Sequence, residues 1–171
     1  MIKGRAWRFG DYVSTDAIIS GKYKFKTINL KELSKHAMET LAPDFAKRVK
    51  RGDVIVAGWD FGCGSSREQA PLVLKQLGVG AIVAKSFARI FYRNCINVGL
   101  PLVECKDAHD RTEQGDIVSV ELRKGSVVNV TKGEAFEAKP MPEFLMKMLE
   151  DGGLVAQFKN YGEFRWDTSS R

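Results

Sequence analysis

The chain is poor in the residues on which metal and nucleophilic chemistry most often draw. Two histidines, His36 and His109, and three cysteines, Cys63, Cys95 and Cys105, stand among 171 residues. The cysteines fall at unrelated spacings, which excludes a disulfide framework and a complete metal-ligand set and points to a reduced, cytoplasmic setting. Both histidines lie in polar runs, are expected to be exposed, and have no nucleophile beside them, so a Ser-His-Asp hydrolase is excluded. No apolar run approaches the ~20 residues of a membrane span. Met1-Ile2-Lys3-Gly4 lacks the apolar core of a signal peptide. Internal repeats and low-complexity linkers are also missing, and the length suits one domain over 1–171.

Lysine and arginine exceed aspartate and glutamate by 27 to 21, a net charge of +6. The basic residues are scattered except at Lys22–Lys26 and Lys47–Arg51. Such a surplus fits either solvated lysines or steering of an anionic substrate. No basic stretch is interleaved with aromatics, so nucleic acid is a poor match.

Hydrophobic periodicity orders the chain. Strands are predicted at Ile2–Phe9, in the β-branched run Asp53–Gly58, at Ala81–Ala84, Leu100–Glu104 and Ile117–Leu122, and at Val127–Val130, which closes a hairpin. Helical spacing marks Leu33–Leu41, Asp44–Val49, Ser66–Leu77, Phe87–Cys95 and Phe144–Leu149. Gly21 to Leu30 has no face long enough to bury and reads as an exposed loop. The tail from Lys159 to Arg171 is polar and reads as loosely held. A strand-loop-helix-strand centre with hairpins near the end makes a mixed, layered α/β domain.

One segment concentrates chemistry: Gly62-Cys63-Gly64-Ser65-Ser66-Arg67-Glu68, between a buried strand and a helix. Its glycines permit positive φ and close approach of a ligand. Ser65 or Ser66 can cap the following helix, whose free N–H groups then favour a carboxylate or phosphate, with Arg67 as a bidentate clamp. An ordinary serine cap in a glycine-rich turn would look the same. Neither the Gly-Lys-Ser/Thr of a Walker loop nor the dinucleotide-binding glycine pattern is present. Without a histidine, Ser65 can act as an alkoxide that takes a proton from a carbon beside a carboxylate. Such a step needs an electrophile, and this chain offers no metal set for one, so a partner must bring it.

Three co-linear stretches carry a family resemblance: Thr15-Asp16-Ala17-Ile18-Ile19, the Gly62 to Pro71 segment, and Lys85 to Asn94. From Met1 to about Leu154 the chain resembles the small subunit of 3-isopropylmalate dehydratase (LeuD type), a hydro-lyase of leucine biosynthesis that corresponds to the swivelling domain of the aconitase superfamily. The resemblance implies a layered β/β/α fold. It implies that Ser65 is the base for the substrate's carbon-bound proton, Arg67 a ligand of a substrate carboxylate, Ser66 a support of the loop, and Asp16 an acid that reaches the site. It places the 4Fe-4S cluster on a separate large subunit, in a heterodimer or heterotetramer. Cys63 is then a packing residue.

In that family the loop after the Thr-Asp motif chooses the substrate; here it reads Gly21 to Thr27, with Tyr23, Lys24, Phe25 and Lys26 at its centre. Isopropylmalate-type members tend to have Tyr-Leu followed by an apolar residue, and homoaconitase-type members an arginine at that third place. Lys24 departs from the usual leucine. Phe25 suits an apolar substituent, whereas Lys24 or Lys26 suits an extra carboxylate. The substrate is thus open among isopropylmalate, dimethylmalate- or methylmalate-type acids and the homoaconitase type. A stand-alone anion- or RNA-binding module is the reading from another class. The Gly21 to Thr27 loop is expected to be mobile without the large subunit.

Overall fold

The computed structural model of the chain describes residues 1–24 and 29–162. The chain opens with β1 (Ile2–Arg8), then the short helices α1 (Thr15–Ile18), α2 (Gly21–Lys24), α3 (Leu30–Ser34) and α4 (Phe45–Arg48). A β/α core follows: β2 (Val54–Ala57), α5 (Gln69–Gln76), β3 (Ala81–Ala84), α6 (Arg89–Val98) and β4 (Leu102–Glu104). The chain continues through α7 (Ala108–Arg111), β5 (Ile117–Glu121), β6 (Ser126–Asn129), β7 (Glu134–Glu137), α8 (Glu143–Glu150) and α9 (Leu154–Tyr161). Among the described residues no helix is long and apolar enough to cross a membrane.

The strands run in the order β4-β3-β2-β1-β5-β6-β7. β1 is the seam of this sheet. Its last residues, Ala6 to Arg8, pair parallel with Val54 to Val56 of β2, while Ile2 to Arg5 pair antiparallel with Ile117 to Val120 of β5. One side is therefore a parallel β/α unit and the other an antiparallel meander, the layered arrangement expected from the sequence. All four residues of β2 and of β3 are buried, as strands covered on both faces must be, and this accounts for their unbroken runs of Val, Ile and Ala.

Several sequence expectations need correction. Gly21 to Leu30 is not wholly a loop, since Gly21–Lys24 forms the turn α2 and Leu30 begins α3. Asn29 caps α3 by accepting from the N–H groups of Lys31 and Glu32. The Leu33–Leu41 helix stops at Ser34, because Met38 takes a left-handed φ of 58° and donates its N–H to the Ile18 carbonyl. The apolar face still reaches the core through Leu33, Ala37 and Met38, whereas Leu41 stays exposed. The first residues of the tail, Lys159 to Tyr161, belong to α9, where buried Gln157 donates to Asp151; the rest of the tail, 163–171, lies outside the described residues.

His109 is buried, against the expectation of exposure. Its Nε2 lies 2.9 Å from the Phe9 carbonyl and its Nδ1 3.2 Å from Asp110, and Asp110 also takes Lys85. Those partners let a polar ring be buried at small cost. Its bonds serve the fold, pinning α7 to the end of β1.

Candidate active site

The C-terminal ends of parallel strands are where open α/β sheets place ligands, and the Ser-Ser-Arg loop leaves the sheet there. After β2, Gly62 donates its N–H to Val13 and Thr15 donates its N–H to Cys63 (2.7 and 2.9 Å), forming a short bridge between Ser14 and Cys63. The Thr15 hydroxyl, on a buried side chain, donates to the Ser65 carbonyl at 2.7 Å. The loop that carries Ser65 is thus laced to α1.

Glycine is required at position 62 for two reasons. Its φ is +82°, and a Cβ would stand 2.1 Å from the Phe91 ring. The missing side chain lets α6 press against the loop, with Phe61 and Phe91 in an edge-to-face contact at 5.4 Å. Gly64, at φ +89°, supplies the second left-handed turn that presents Ser65.

Ser65, Ser66 and Arg67 line a cavity of about 300 Å³ together with Thr15 and with Arg89, Ile90, Phe91 and Asn94 of α6. Ser65 and Ser66 are exposed, and among the described residues their hydroxyls make no hydrogen bond. The serine cap is a further correction: α5 starts at Gln69, Glu68 holds the cap position, and no side chain caps it. The loop is held by Thr15 instead, a role the sequence signalled only through the Thr15-Asp16 pair.

Arg67 Nη1 lies 2.6 Å from Asp16 Oδ1 and donates to the Ile19 carbonyl at 2.9 Å. Asp16 also accepts the Gly21 N–H at 3.4 Å, and a Cβ on Gly21 would stand 3.4 Å from the guanidinium. Asp16, Arg67 and the first residue of the 21–27 segment therefore form one cluster.

The remaining sequence-nominated residues divide. Tyr23 stacks on His36 with ring centroids 3.8 Å apart, and Lys22 Nζ lies 4.6 Å from the Tyr23 ring centroid. A hydrogen bond from the Tyr23 hydroxyl lowers the Glu39 carboxyl below its usual range. Lys24 lies in α2, while Phe25 and Lys26 lie outside the described residues.

Cys63 is half-buried rather than fully packed away, with its thiol 3.4 Å from the Tyr12 carbonyl. Burial and then the charge of Asp60 raise its pKa, so it is not a poised nucleophile. Cys95 and Cys105 are buried. Among the described residues no group of three His, Cys, Asp or Glu side chains is placed to hold a metal ion, and these residues do not fit a resident iron–sulfur cluster.

The sheet, parallel on one side of β1 and antiparallel on the other, agrees with the layered swivelling-domain fold that the sequence resemblance implies, and comparison with known proteins bears it out. Residues 8–108 match the Aconitase C-terminal domain family. The chain is 54% identical over 162 residues to the 3-isopropylmalate dehydratase small subunit 1 of Methanopyrus kandleri, covering 95% of each chain. It is 55% identical over 159 residues to the methanogen homoaconitase small subunit of Methanothermobacter thermautotrophicus, covering 92% of this chain and 91% of that one. The crystal structure of 3-isopropylmalate dehydratase (LeuD) from Methanocaldococcus jannaschii superposes with a TM-score of 0.87 at 47% identity, over 94% of this chain and 95% of that chain. The chain belongs to the 3-isopropylmalate dehydratase small-subunit family, hydro-lyase components within the Aconitase C-terminal domain family.

Proposed function

We propose that this chain is the proton-transfer half of a two-subunit hydro-lyase that moves water across a 2-hydroxy dicarboxylate of the isopropylmalate kind. The observation that carries it is the Ser65–Arg67 loop on the cavity wall, with Arg67 locked to Asp16 at 2.6 Å. In dehydration Ser65, as alkoxide, takes the hydrogen of the carbon beside the one bearing the hydroxyl. That C–H bond breaks, a serine O–H forms, and the electron pair becomes the new C=C as hydroxide leaves. In rehydration the serine O–H gives its proton to one alkene carbon as hydroxide adds to the other, so that the C=C is consumed and the serine alkoxide is restored. Arg67 holds one carboxylate, so the reacting carbon stays fixed against Ser65.

On this reading a 4Fe-4S cluster held by a large subunit would supply the electrophile that the departing hydroxide needs. Docking of that subunit over the exposed Ser65 and Ser66 would exclude water from the cavity.

A homoaconitase-type substrate is the second reading, favoured by 55% identity to a small subunit of that name. Lys24 and Lys26, which the sequence offers for an extra carboxylate, favour the same reading. The test is anaerobic co-expression with an iron–sulfur large subunit and assay of malate derivatives by alkene absorbance. Turnover of isopropylmalate supports the first reading and turnover of homocitrate-type acids alone the second; a complex inactive on all of them overturns both.

A further inference from the structure

We infer that Arg89 is a second substrate-carboxylate ligand of the same cavity; this rests on the hydro-lyase reading above. A dicarboxylate brings two negative charges, and two cations line the cavity, Arg67 and Arg89. Arg67 cannot answer both charges. Its own charge is matched by Asp16 at 2.6 Å from Nη1, the same nitrogen donates to the Ile19 carbonyl, and its side chain is 17% exposed. The Arg67–Asp16 pair is neutral as a unit and orients a carboxylate more than it attracts one.

Arg89 is in the opposite condition. It is exposed, and among the described residues it makes no hydrogen bond or ion pair. It stands in the first turn of α6, which contains no acidic residue to offset it. A cation at that end of a helix opposes the helix dipole, so the position does not serve helix stability. Departures from local rules of this kind are expected where a residue is kept for function.

The position of α6 relative to the serine is also fixed. Ala88 donates its N–H to the Phe61 carbonyl at 3.0 Å, Phe61 bridges to Phe87, and Phe91 fills the space left by Gly62. The wall bearing Arg89 is thereby fastened directly to the segment that leads to Ser65. Asn94, one turn further along and on the same cavity, adds an amide that makes no hydrogen bond among the described residues.

The test uses the complex reconstituted with the iron–sulfur large subunit and compares wild type, Arg89→Ala and Arg89→Lys. Isopropylmalate binding is followed by calorimetry, turnover by alkene absorbance, and assembly by size-exclusion chromatography. Arg89→Ala is expected to weaken binding about 10- to 100-fold, the worth of a charge-assisted hydrogen-bonded contact. KM should rise by a similar factor with kcat retained. Arg89→Lys should recover part of the loss, because it keeps the charge without the fork. Unchanged affinity in Arg89→Ala overturns the inference. So does loss of co-elution with the large subunit, which would make Arg89 an inter-subunit contact. A wild-type complex that binds and turns over no dicarboxylate overturns the functional reading itself.

Discussion

Asp16 and Arg67 form the shortest side-chain ion pair among the described residues, 2.6 Å from Oδ1 to Nη1, and it joins the two motifs that flank the cavity. Asp16 is 59% exposed, so the pair contributes only about 0–1 kcal/mol to folding. Its value lies in position, because it fixes the plane of the guanidinium beside Ser65. Asp16→Asn should shift the thermal midpoint by less than about 4 °C. In the reconstituted enzyme it should lower kcat about 10- to 100-fold through misplacement of Arg67. A normal kcat would show that Arg67 is held well enough by the Ile19 carbonyl.

Ser65→Ala separates chemistry from structure. The hydroxyl is exposed and bonds to no described residue, while the Thr15 contact uses the Ser65 backbone carbonyl and survives the change. Folding and assembly should be unaffected, and kcat should fall at least about 100-fold, the usual worth of a positioned proton-transfer group. Turnover within a factor of two of wild type, with single-turnover kinetics to exclude slow product release, would remove Ser65 from the base role.

Much of this arrangement is legible from the sequence where short-range chemistry dictates it. The β-branched run Val54 to Ala57 reads as a buried strand from its composition alone, and the glycine-flanked Ser-Ser-Arg segment lies between that strand and a helix, as its spacing indicates. What escaped depends on contacts between distant segments. His109 looks exposed in a polar run until the Phe9 carbonyl supplies its partner at 2.9 Å. A serine cap for α5 fails because the Thr15 hydroxyl draws the Ser65 carbonyl aside and the helix begins later. The helix expected from Leu33 to Leu41 yields to a left-handed Met38 that bonds back to Ile18. Arg89 falls within the Lys85 to Asn94 stretch but takes no role from the sequence, since it is the packing of Phe61, Phe87 and Phe91 that fastens its helix end beside the cavity.

Gly62→Ala tests whether the loop conformation is required. The added methyl meets both a left-handed φ of +82° and the Phe91 ring at 2.1 Å. Strain and overpacking together should cost about 2–5 kcal/mol. Gly10→Ala is the matched control, with no atom within 4 Å of the new methyl and no positive φ. Denaturant melts should show a large loss for the first and almost none for the second. If Gly62→Ala melts like Gly10→Ala, α6 is not pressed against the loop as described.

Asp53 gives the fold a pH dependence far from the active site. Burial alone would raise its pKa, but the N–H of Lys50, the Trp7 indole and Arg5 all donate to the carboxylate and hold it below its usual value. A depressed carboxyl stabilises the native state above its unfolded pKa of about 3.9, and that stability is lost as pH falls through the lower folded value. Asp53→Asn keeps the size but turns an NH2 toward donors. It should cost about 2–3 kcal/mol at pH 7, the scale of a charged hydrogen-bond acceptor lost from the interior. Urea melts should show the gap between wild type and variant shrinking as pH drops from 5 toward 3, because only the wild type has this carboxylate to protonate. A gap constant across that range would mean that Asp53 acts by shape alone and that its charge is not what Trp7, Arg5 and Lys50 are gathered to hold.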